Sequence, residues 1–351
     1  MEFVIYTNAV SAHQIPLAHE LLRLLGQDNL RYVYTGETDH VCQEVGSDEP
    51  WIVREDALDE QERGNLLFGC GTLLVGGIRP IDLMEKRLLH GKKTFYMSER
   101  WFKPFLLPMG LSLPGWVRLF HPGYFHMAVR FAHLFGKEGF RFLSIGPWAK
   151  ADMKLICRIM GVRADKGKIV DWGYFVEEGR GKRKEGRGET QTRVIWVGRM
   201  LGLKRVDTII RAVGEDAARS ARLNIALDIY GAGPEETRLK RQAAKYGDAI
   251  RFHPPVSMNE VRQLMRGHDL YVFSSNSFEG WGAVVSEALT EGMTVIGTYE
   301  AGAPAALLPE SNLFHCGDWK RLAELLRNPP PKVPLPYDYT PQGAAERLLK
   351  L

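Results

Sequence analysis

The amino-acid sequence predicts an α/β protein built from two doubly wound parallel sheets. Short apolar runs of strand length alternate with segments that carry apolar residues at helical spacing, which is the rhythm of parallel β-α-β units. A glycine-rich, charged stretch from Glu177 to Gln191 interrupts this rhythm near the middle of the chain. The length of 351 residues is large for a single domain and fits two.

Strands and helices alternate through the first half. The predicted strands lie in EFVIYTNAV, LRYVYTGE, NLLFGCGTLLVGG, KTFYMSER, FRFLSI and KIVDWGYFV. Three helices are predicted between them, in HQIPLAHELLRLLG, PIDLMEKRLLHG and PWAKADMKLICRIMG. The first places Leu17, Leu21, Leu24 and Leu25 on one stripe, and the second opens with Pro80 and closes with Gly91.

The second half repeats the pattern. Strands are predicted in RVIWVG, LNIALDIYG, IRFHPPV, DLYVFSS and MTVIGT, with NLFHCGD as an edge strand. Helices are predicted in KRVDTIIRAVGE, PEETRLKRQAAKYG, MNEVRQLMRG and GAVVSEALTEG, and a short amphipathic one in PQGAAERLLKL.

These patterns divide the chain into two Rossmann-like domains facing a central cleft. The predicted amino-terminal domain is 1–178, and the carboxyl-terminal domain is 192–335. Residues 179–191 form a linker or, equally well, an exposed surface hairpin. The helix at 336–351 is expected to pack back on the first domain.

Composition narrows the class of protein. With 45% hydrophobic and 25% charged residues the chain is an ordinary globular protein, and a net charge of +4 is too small to indicate nucleic acid. Scattered cysteines (Cys42, Cys70, Cys157 and Cys316) indicate a reducing compartment and no structural zinc. The start MEFVIYTNAV is typical of a strand, not of a signal peptide, and no membrane-spanning run occurs, so we expect a cytoplasmic protein.

Two basic residues follow the first strand of the second domain, in VGRMLGLKRVD. Gly198 ends the strand, and Arg199 and Lys204 lie in the loop before the next helix. Ligands of open α/β sheets bind at this edge, and two cations there suit a diphosphate. Taken alone, the pair is better explained as solvated loop residues. The GxG that contains Gly231 is similarly weak evidence, because a tight strand-to-helix turn accounts for it.

Two acids eight residues apart follow a later strand, in SSNSFEGWGAVVSEALTEG. Glu279 lies in the loop, and Glu287 lies about one and a half turns into the predicted helix. Gly280 and Gly282 would let backbone N–H groups approach an anion. A carboxylate is the usual partner of ribose hydroxyls. Each acid alone is better explained as an ordinary helix or helix-cap acid.

The order of these motifs resembles the carboxyl-terminal domain of the family 4 glycosyltransferases, which have the GT-B fold. The resemblance covers residues 193 to about 300, and its marker is the E-x7-E motif at Glu279 and Glu287. It implies that Arg199 and Lys204 hold the donor diphosphate and that Glu287 binds the nucleotide ribose. It also implies that Glu279 faces the donor sugar, with the amides of Gly280, Trp281, Gly282 and Ala283 on the phosphate. Trp281 replaces the usual phenylalanine.

The amino-terminal half matches that family less clearly. Its first loop, TNAVSAHQ, lacks the glycines that members often carry, but Asn8, Ser11 and His13 still follow the first strand. Ser98, Glu99 and Arg100 follow another strand. We predict that these residues lie on the acceptor side, with His13 and Glu99 in a catalytic role together with Glu279. Helix capping by Ser11 explains the first group equally well.

An unusual segment runs from Arg100 to Lys137. It contains no acid, five basic residues and nine aromatic residues. This composition favours contact with an anionic membrane surface, which would make the protein peripheral at the inner face of the membrane. The alternative is a pair of core helices, which the prolines at 104, 108, 114 and 122 disfavour.

Together these features predict a retaining glycosyltransferase that moves a sugar from a nucleotide sugar to a lipid-linked or polysaccharide acceptor in cell-surface glycan synthesis. No cofactor or metal is expected, because no DxD-type carboxylate pair lies at a strand end. The family resemblance implies same-face displacement, in which the diphosphate accepts the proton of the acceptor. A GT-B epimerase or phosphorylase would share the fold, and a non-catalytic sugar-nucleotide-binding subunit would keep the donor contacts but not the acceptor-side polar groups.

Overall fold

The computed structural model describes residues 1–36, 49–106, 112–165, 167–177, 179, 191–219 and 225–351. They divide into two compact units, one formed by Met1–Glu177 with Tyr337–Leu351 and the other by Glu178–Pro336. Most of the predicted linker, 180–190, lies outside the described residues. No described helix is both long enough and apolar enough to cross a membrane.

The first unit contains a seven-stranded parallel sheet in the order β3-β2-β1-β4-β5-β8-β9. Its strands are β1 Phe3–Thr7, β2 Leu30–Tyr34, β3 Ile52–Arg54, β4 Thr72–Gly76, β5 Lys93–Ser98, β8 Phe140–Ile145 and β9 Ile169–Trp172. A separate antiparallel pair joins β6 Phe105–Leu106 to β7 Ser112–Leu113. The helices of this unit are α1 Ile15–Leu25, α2 Glu60–Leu67, α3 Ile81–Leu89, α4 Pro122–Leu134, α5 Pro147–Ile159 and α12 Pro341–Lys350.

The second unit contains a six-stranded parallel sheet in the order β12-β11-β10-β13-β14-β15. Its strands are β10 Thr192–Val197, β11 Ile225–Tyr230, β12 Ile250–His253, β13 Leu270–Phe273, β14 Thr294–Thr298 and β15 Leu313–Phe314. Its helices are α6 Val206–Arg219, α7 Glu236–Ala243, α8 Met258–Arg266, α9 Val284–Thr290, α10 Gly302–Leu307 and α11 Trp319–Arg327.

The prediction of two doubly wound α/β units is confirmed. Each sheet has one point where the strand order reverses, between β1 and β4 in the first unit and between β10 and β13 in the second. Connections leave in opposite directions there, so a crevice opens at the carboxyl ends of the two strands. The loops that follow these four strands are therefore where a ligand is expected to bind.

Several local predictions were wrong. Leu17 and Leu21 of α1 are buried, but Leu24 on the same expected stripe is exposed. The apolar run before β4 was predicted to belong to that strand, but Leu66 and Leu67 are the last residues of α2. This helix starts at a capping box, in which Asp59 and Glu62 each accept a hydrogen bond from the backbone N–H of the other. No predicted element corresponds to β3, α10 or α11.

Half of the aromatic segment 100–137 is core. Phe131 and Phe135 of α4 are buried, and both rings contact Phe140, with centroids 5.9 Å and 5.1 Å away. The core-helix alternative is therefore correct for this part of the segment. Residues 107–111 lie outside the described part of the chain.

Two buried polar groups anchor the sheets. The guanidinium of Arg87 on α3 is fully buried and donates to the backbone carbonyls of Leu67 and Phe68 at 2.9 Å and of Lys93 at 2.9 Å, which ties α2 to the start of β5. In the second unit Asp228 on β11 accepts from His253 at 2.7 Å and His268 at 3.1 Å. Burial alone would raise the pKa of Asp228, but these hydrogen bonds outweigh it and lower the pKa to about 2.

The carboxyl-terminal helix α12 belongs to the first unit, where it packs on α1. Thr340 caps it by accepting from the backbone of Gly343 at 3.1 Å, and Ala344 and Leu348 are buried. The guanidinium of Arg347 lies 5.2 Å from the ring centroid of Trp172 on β9. The chain thus returns to its first unit after completing the second.

Candidate functional site

The loops after β10 and β13 meet at the reversal point of the second sheet. The hydroxyl of Ser274 donates to the carbonyl of Lys204 at 2.6 Å, and the backbone N–H of Asn276 donates to the carbonyl of Leu203 at 2.9 Å. Two hydrogen bonds therefore join the loop that carries the predicted cations to the loop that carries Glu279.

A side-chain ion pair completes this junction. The ammonium of Lys204 pairs with the carboxylate of Glu279, and the two side chains retain 21% and 17% of their exposure. The carboxylate is brought into place by a turn in which the side-chain oxygen of Asn276 accepts from the N–H of Phe278 at 3.0 Å. Residues 75 positions apart in sequence thus form one polar group at the sheet edge.

Backbone geometry fixes the direction of Lys204. The next residue, Arg205, has φ of 47°, the only non-glycine positive φ among the described residues. Its guanidinium grips Asp207 with two contacts of 3.1 Å at the start of α6. A left-handed arginine is strained, and such strain is concentrated at functional sites. Arg205 was not among the predicted site residues, although it lies between Lys204 and Asp207 in the sequence.

Arg199 differs from Lys204 in its surroundings. Its side chain is exposed and forms no ion pair or hydrogen bond with any residue that the structure describes. It follows Gly198 at the carboxyl end of β10, on the same edge as Lys204. The site therefore presents one cation that is already paired and one that is available to an anion.

Glu287 is a buried acid. The helix α9 begins at Val284, later than predicted, so Glu287 lies in its first turn, with 5% of the residue exposed. None of the described residues donates a hydrogen bond to its carboxylate. Burial raises the pKa of Glu287, Arg262 opposes that shift, and Glu291 adds to it. An unsatisfied buried carboxylate is costly, which is the usual mark of a ligand-binding group.

Tyr271 on β13 lies beneath the two acids. The side chain is fully buried, and its hydroxyl has no hydrogen-bond partner in the part of the chain that the structure describes. Burial, together with the charges of Glu287 and Glu279, raises the pKa of Tyr271. Sequence patterning could only assign it to a buried strand. The hydroxyl stays protonated at neutral pH and adds a dipole to the floor of the site.

The glycines of this region permit close packing. A Cβ on Gly231 would overlap the carbonyl of Gly198, and a Cβ on Gly282, whose φ is 92°, would overlap the ring of Phe273. Gly280 presses its carbonyl against Gly302 at the start of α10, and the carbonyl of Trp281 accepts from Ala303 at 2.9 Å. Ala283 is the residue before α9. These glycines therefore position the loops, whatever their role toward a ligand.

Two of the acceptor-side candidates lie together in the first unit. His13 stacks on Tyr174, with ring centroids 5.8 Å apart, and the Tyr174 hydroxyl donates to Glu99 at 3.1 Å. Lys103 pairs with the other oxygen of Glu99 at 2.9 Å. Burial lowers the pKa of His13, so its imidazole is neutral at neutral pH and can accept a proton. Tyr174 and Lys103 were not predicted, since neither belongs to a recognised motif.

The other acceptor-side candidates are engaged within the unit. The Ser98 hydroxyl donates a hydrogen bond to the carbonyl of Glu99 at 2.9 Å and accepts one from the indole N–H of Trp101 at 3.2 Å. Arg100 lies 3.9 Å from Asp152 and is largely buried. Ser11 accepts from the N–H of His13 at 3.3 Å, but it does not cap α1, because Gln14 is the N-cap residue of that helix and no side chain caps it.

Asn8 lies against the exit loop of β4, because a Cβ on Gly77, whose φ is 73°, would overlap its side chain. The structure therefore brings His13 and Glu99 together and gives Ser98, Arg100 and Ser11 structural contacts.

Comparison with known proteins shows what the second unit is similar to. Residues 178–328 match the family described as "Glycosyl transferases group 1". The match covers nearly all of the second unit. A D-inositol 3-phosphate glycosyltransferase of Streptomyces griseus is 32% identical over 123 residues, which is 32% of this chain and 26% of that protein. The GtfA subunit of a UDP-N-acetylglucosamine–peptide N-acetylglucosaminyltransferase of Streptococcus gordonii is 33% identical over 106 residues, 30% of this chain and 20% of that protein.

Solved glycosyltransferases share the fold over the whole chain. The lipopolysaccharide outer core galactosyltransferase WaaB aligns with a TM-score of 0.61 at 16% identity over 99% of this chain and 95% of that one. A UDP-forming trehalose-phosphate synthase of Burkholderia xenovorans gives 0.62 at 11% identity over 99% and 96%. The GT-B fold and the family resemblance are thus confirmed. The chain covers only 26% and 35% of the length of the first curated relatives.

The burial of Glu287 predicts a stability gain on its replacement. Because its pKa is raised in the folded protein, its contribution to stability is fully present below the ordinary value of 4.5 and is lost as pH rises through the raised pKa. Glu287→Gln mimics the protonated form and should raise the free energy of unfolding at neutral pH by about 1 kcal/mol. The measurement is denaturant unfolding at several pH values, and the gain should vanish below pH 4.5.

Glu291→Gln is the matched control on the same helix. Glu291 pairs with Arg262 at 2.7 Å and Arg266 at 2.6 Å, so its replacement should destabilise the protein. A Glu287→Gln variant that loses stability at neutral pH would contradict the burial argument.

Proposed function

We propose that the protein is a retaining glycosyltransferase that moves a sugar from a nucleotide sugar to a glycan or lipid-linked acceptor in cell-surface glycan synthesis. The observation that carries the proposal is the polar group at the reversal point of the second sheet, where Lys204 pairs with Glu279, Arg199 follows β10 and the buried Glu287 lies in the helix after β13. Cations suit a diphosphate, and a buried acid without donors suits ribose hydroxyls.

Each side chain then has a distinct task. Arg199 is available to the diphosphate, and Lys204 reaches it by exchanging Glu279 for a phosphate oxygen. The released Glu279 carboxylate accepts hydrogen bonds from hydroxyls of the donor sugar. Glu287 gains the donors that it lacks in the unliganded protein, which makes its ionised form less costly.

Transfer follows as same-face displacement. The bond between the anomeric carbon and the diphosphate oxygen breaks as the acceptor oxygen bonds to that carbon from the same face. The acceptor proton passes to the departing phosphate oxygen, and Arg199 and Lys204 stabilise the charge that develops there. His13, neutral and stacked on Tyr174, and Glu99 orient the acceptor. We propose that these cations serve without a metal; no described group of three or more His, Cys, Asp or Glu side chains is arranged to hold one.

Because Lys204 is paired with Glu279, we expect two variants to change the affinity for nucleoside diphosphate in opposite directions. Glu279→Gln should tighten nucleoside diphosphate binding by about fivefold, because it frees Lys204 and removes a negative charge, while abolishing most sugar transfer. Arg199→Ala should weaken the same binding by at least about tenfold. Calorimetric titration with UDP, GDP and ADP measures both.

Arg238→Ala and Glu236→Gln serve as controls, since both residues lie in exposed pairs on α7 of the same unit. Weaker diphosphate binding by Glu279→Gln would contradict the assigned exchange. Normal binding without turnover of any nucleotide sugar would favour the non-catalytic subunit instead.

We also propose peripheral membrane contact, but through aromatic side chains more than through the basic ones on which the sequence-based prediction relied. Lys103 pairs with Glu99, Arg130 pairs with Asp82 and Glu85 of α3, and Arg100 lies 3.9 Å from Asp152, so acids outside the segment offset three of its five cations. Among its described residues, the exposed large hydrophobic side chains are all aromatic: Trp116 at 45%, Phe120 at 78% and Phe125 at 44%. We therefore propose that aromatic insertion, more than cationic attraction, would hold the protein at a bilayer.

Removing these aromatic side chains tests that basis. The double change Trp116→Ala and Phe120→Ala should lower binding to vesicles of phosphatidylcholine with phosphatidylglycerol several-fold, because each aromatic ring buries apolar area in the bilayer. Sedimentation with the vesicles measures it. Tyr299→Ala removes a comparably exposed ring from the other unit and should have no effect. If the charge reversal Arg130→Glu abolishes binding while the aromatic double change does not, the electrostatic basis is restored and this one fails.

A further inference from the structure

A cavity of about 570 Å³ opens at the carboxyl edge of the first sheet. Its lining comes from the exits of four strands: Tyr6 in β1, Thr35 after β2, Glu55 after β3 and Ile78 after β4. These exits include the reversal point between β1 and β4, where open α/β sheets bind ligands. We propose that this cavity binds an uncharged sugar or cyclitol ring of the acceptor. The proposal rests on the proposed function and names a subsite for it.

Glu55 is the organising polar group of the cavity. The Tyr6 hydroxyl donates to one of its carboxylate oxygens at 2.9 Å, and the guanidinium of Arg63 lies 3.7 Å from the other. Because Tyr6 is buried in the core, its hydroxyl is held in place and fixes the orientation of the Glu55 carboxylate. A carboxylate has more acceptor sites than these two contacts use, and adjacent hydroxyls of a ring match the remaining ones. Arg63, which is more exposed, can donate to a third hydroxyl.

The charge balance selects a neutral ligand. Each acid that lines the first cavity faces an arginine: Glu55 lies 3.7 Å from Arg63, and Asp56 is paired with Arg54 at 3.1 Å. Glu60 adds another carboxylate in an adjoining cavity. A phosphate or carboxylate ligand would have to compete with these acids for the two arginines, and a cationic ligand would be repelled by the same arginines. Hydroxyl groups both donate and accept hydrogen bonds, so they can bind the carboxylates and the arginines of the lining alike.

The remaining lining is apolar. Leu58, Ile78 and Pro80 line the first cavity, and Leu67 and Leu83 line the adjoining one of about 430 Å³. The two share Tyr6, Glu55, Arg63 and Pro80, so the Glu55–Arg63 pair lies along one continuous groove. Polar groups on one side and apolar groups on the other suit a pyranose, whose hydroxyl edge and C–H face differ in the same way. Both volumes lie in the range of small-molecule sites.

The position of the groove fits a specificity subsite. Tyr6 lies on the strand whose exit loop carries Asn8 and His13, so a ring bound at Glu55 belongs to the same side of the unit as the acceptor-handling candidates. Binding of a non-reacting ring contributes to positioning the reacting one. We therefore assign Tyr6, Glu55 and Arg63 as specificity-determining residues and not as catalytic ones.

Saturation-transfer NMR on the full chain tests the assignment. The probes are the methyl α-pyranosides of glucose, galactose, mannose and N-acetylglucosamine, together with myo-inositol, each at millimolar concentration. At least one probe should receive saturation from the wild-type protein. Its apparent affinity should fall by about tenfold in Glu55→Gln and in Tyr6→Phe, because each removes a charged acceptor or its orienting hydroxyl. Glu20→Gln is the matched control, because Glu20 forms a similar partly exposed pair with Arg23 on α1.

Calorimetry with UDP, GDP and ADP on the same samples separates this inference from the proposed function. Diphosphate affinity should be unchanged in every groove variant. No probe binding to the wild type, equal binding by wild type and Glu55→Gln, or displacement of the probes by inorganic phosphate would each overturn the assignment of a neutral-ring subsite. Loss of nucleoside diphosphate binding by the wild-type protein would instead overturn the proposed function and leave the groove result to stand on its own.

Discussion

The ion pair between Lys204 and Glu279 is the contact on which the candidate donor site depends. It joins the loops after β10 and β13 at the point where the strand order of the second sheet reverses. Hydrogen bonds from Ser274 and Asn276 hold the backbones of the same loops together, and the left-handed Arg205 directs the chain into α6. Taking a charged side chain out of water is costly unless an opposite charge compensates it. In this structure Lys204 and Glu279 compensate each other.

Other features of the site show the same compromise between stability and binding. Among the described residues, none donates a hydrogen bond to the carboxylate of the buried Glu287, and none pairs with the buried hydroxyl of Tyr271. In the same sheet, by contrast, the buried carboxylate of Asp228 is held by His253 and His268. A scaffold that satisfies its own polar groups can carry a few unsatisfied ones where a ligand will complete them.

Local patterning was sufficient for the alternation of strands and helices and for the E-x7-E motif, because both depend on short-range spacing. It failed where long-range packing decides. Leu24 is exposed because the sheet is reached by Leu17 and Leu21, and Arg130 is neutralised by two acids of α3, 45 and 48 residues earlier in the chain. Tyr174 joins His13 to Glu99 across 75 residues or more of sequence, and the Glu55 groove gathers four strand exits. No single-sequence motif encodes such meetings.

Hydrogen–deuterium exchange of the full chain, with and without saturating UDP, GDP or ADP, tests the central claim most directly. If a diphosphate lies between Arg199 and Lys204 and the loop of Glu279, at least one nucleotide should slow exchange in 198–205 and in 274–287. The amides of 93–102 in the first unit should be unaffected. Protection confined to the first unit, or no protection with any of the three nucleotides, would contradict the account.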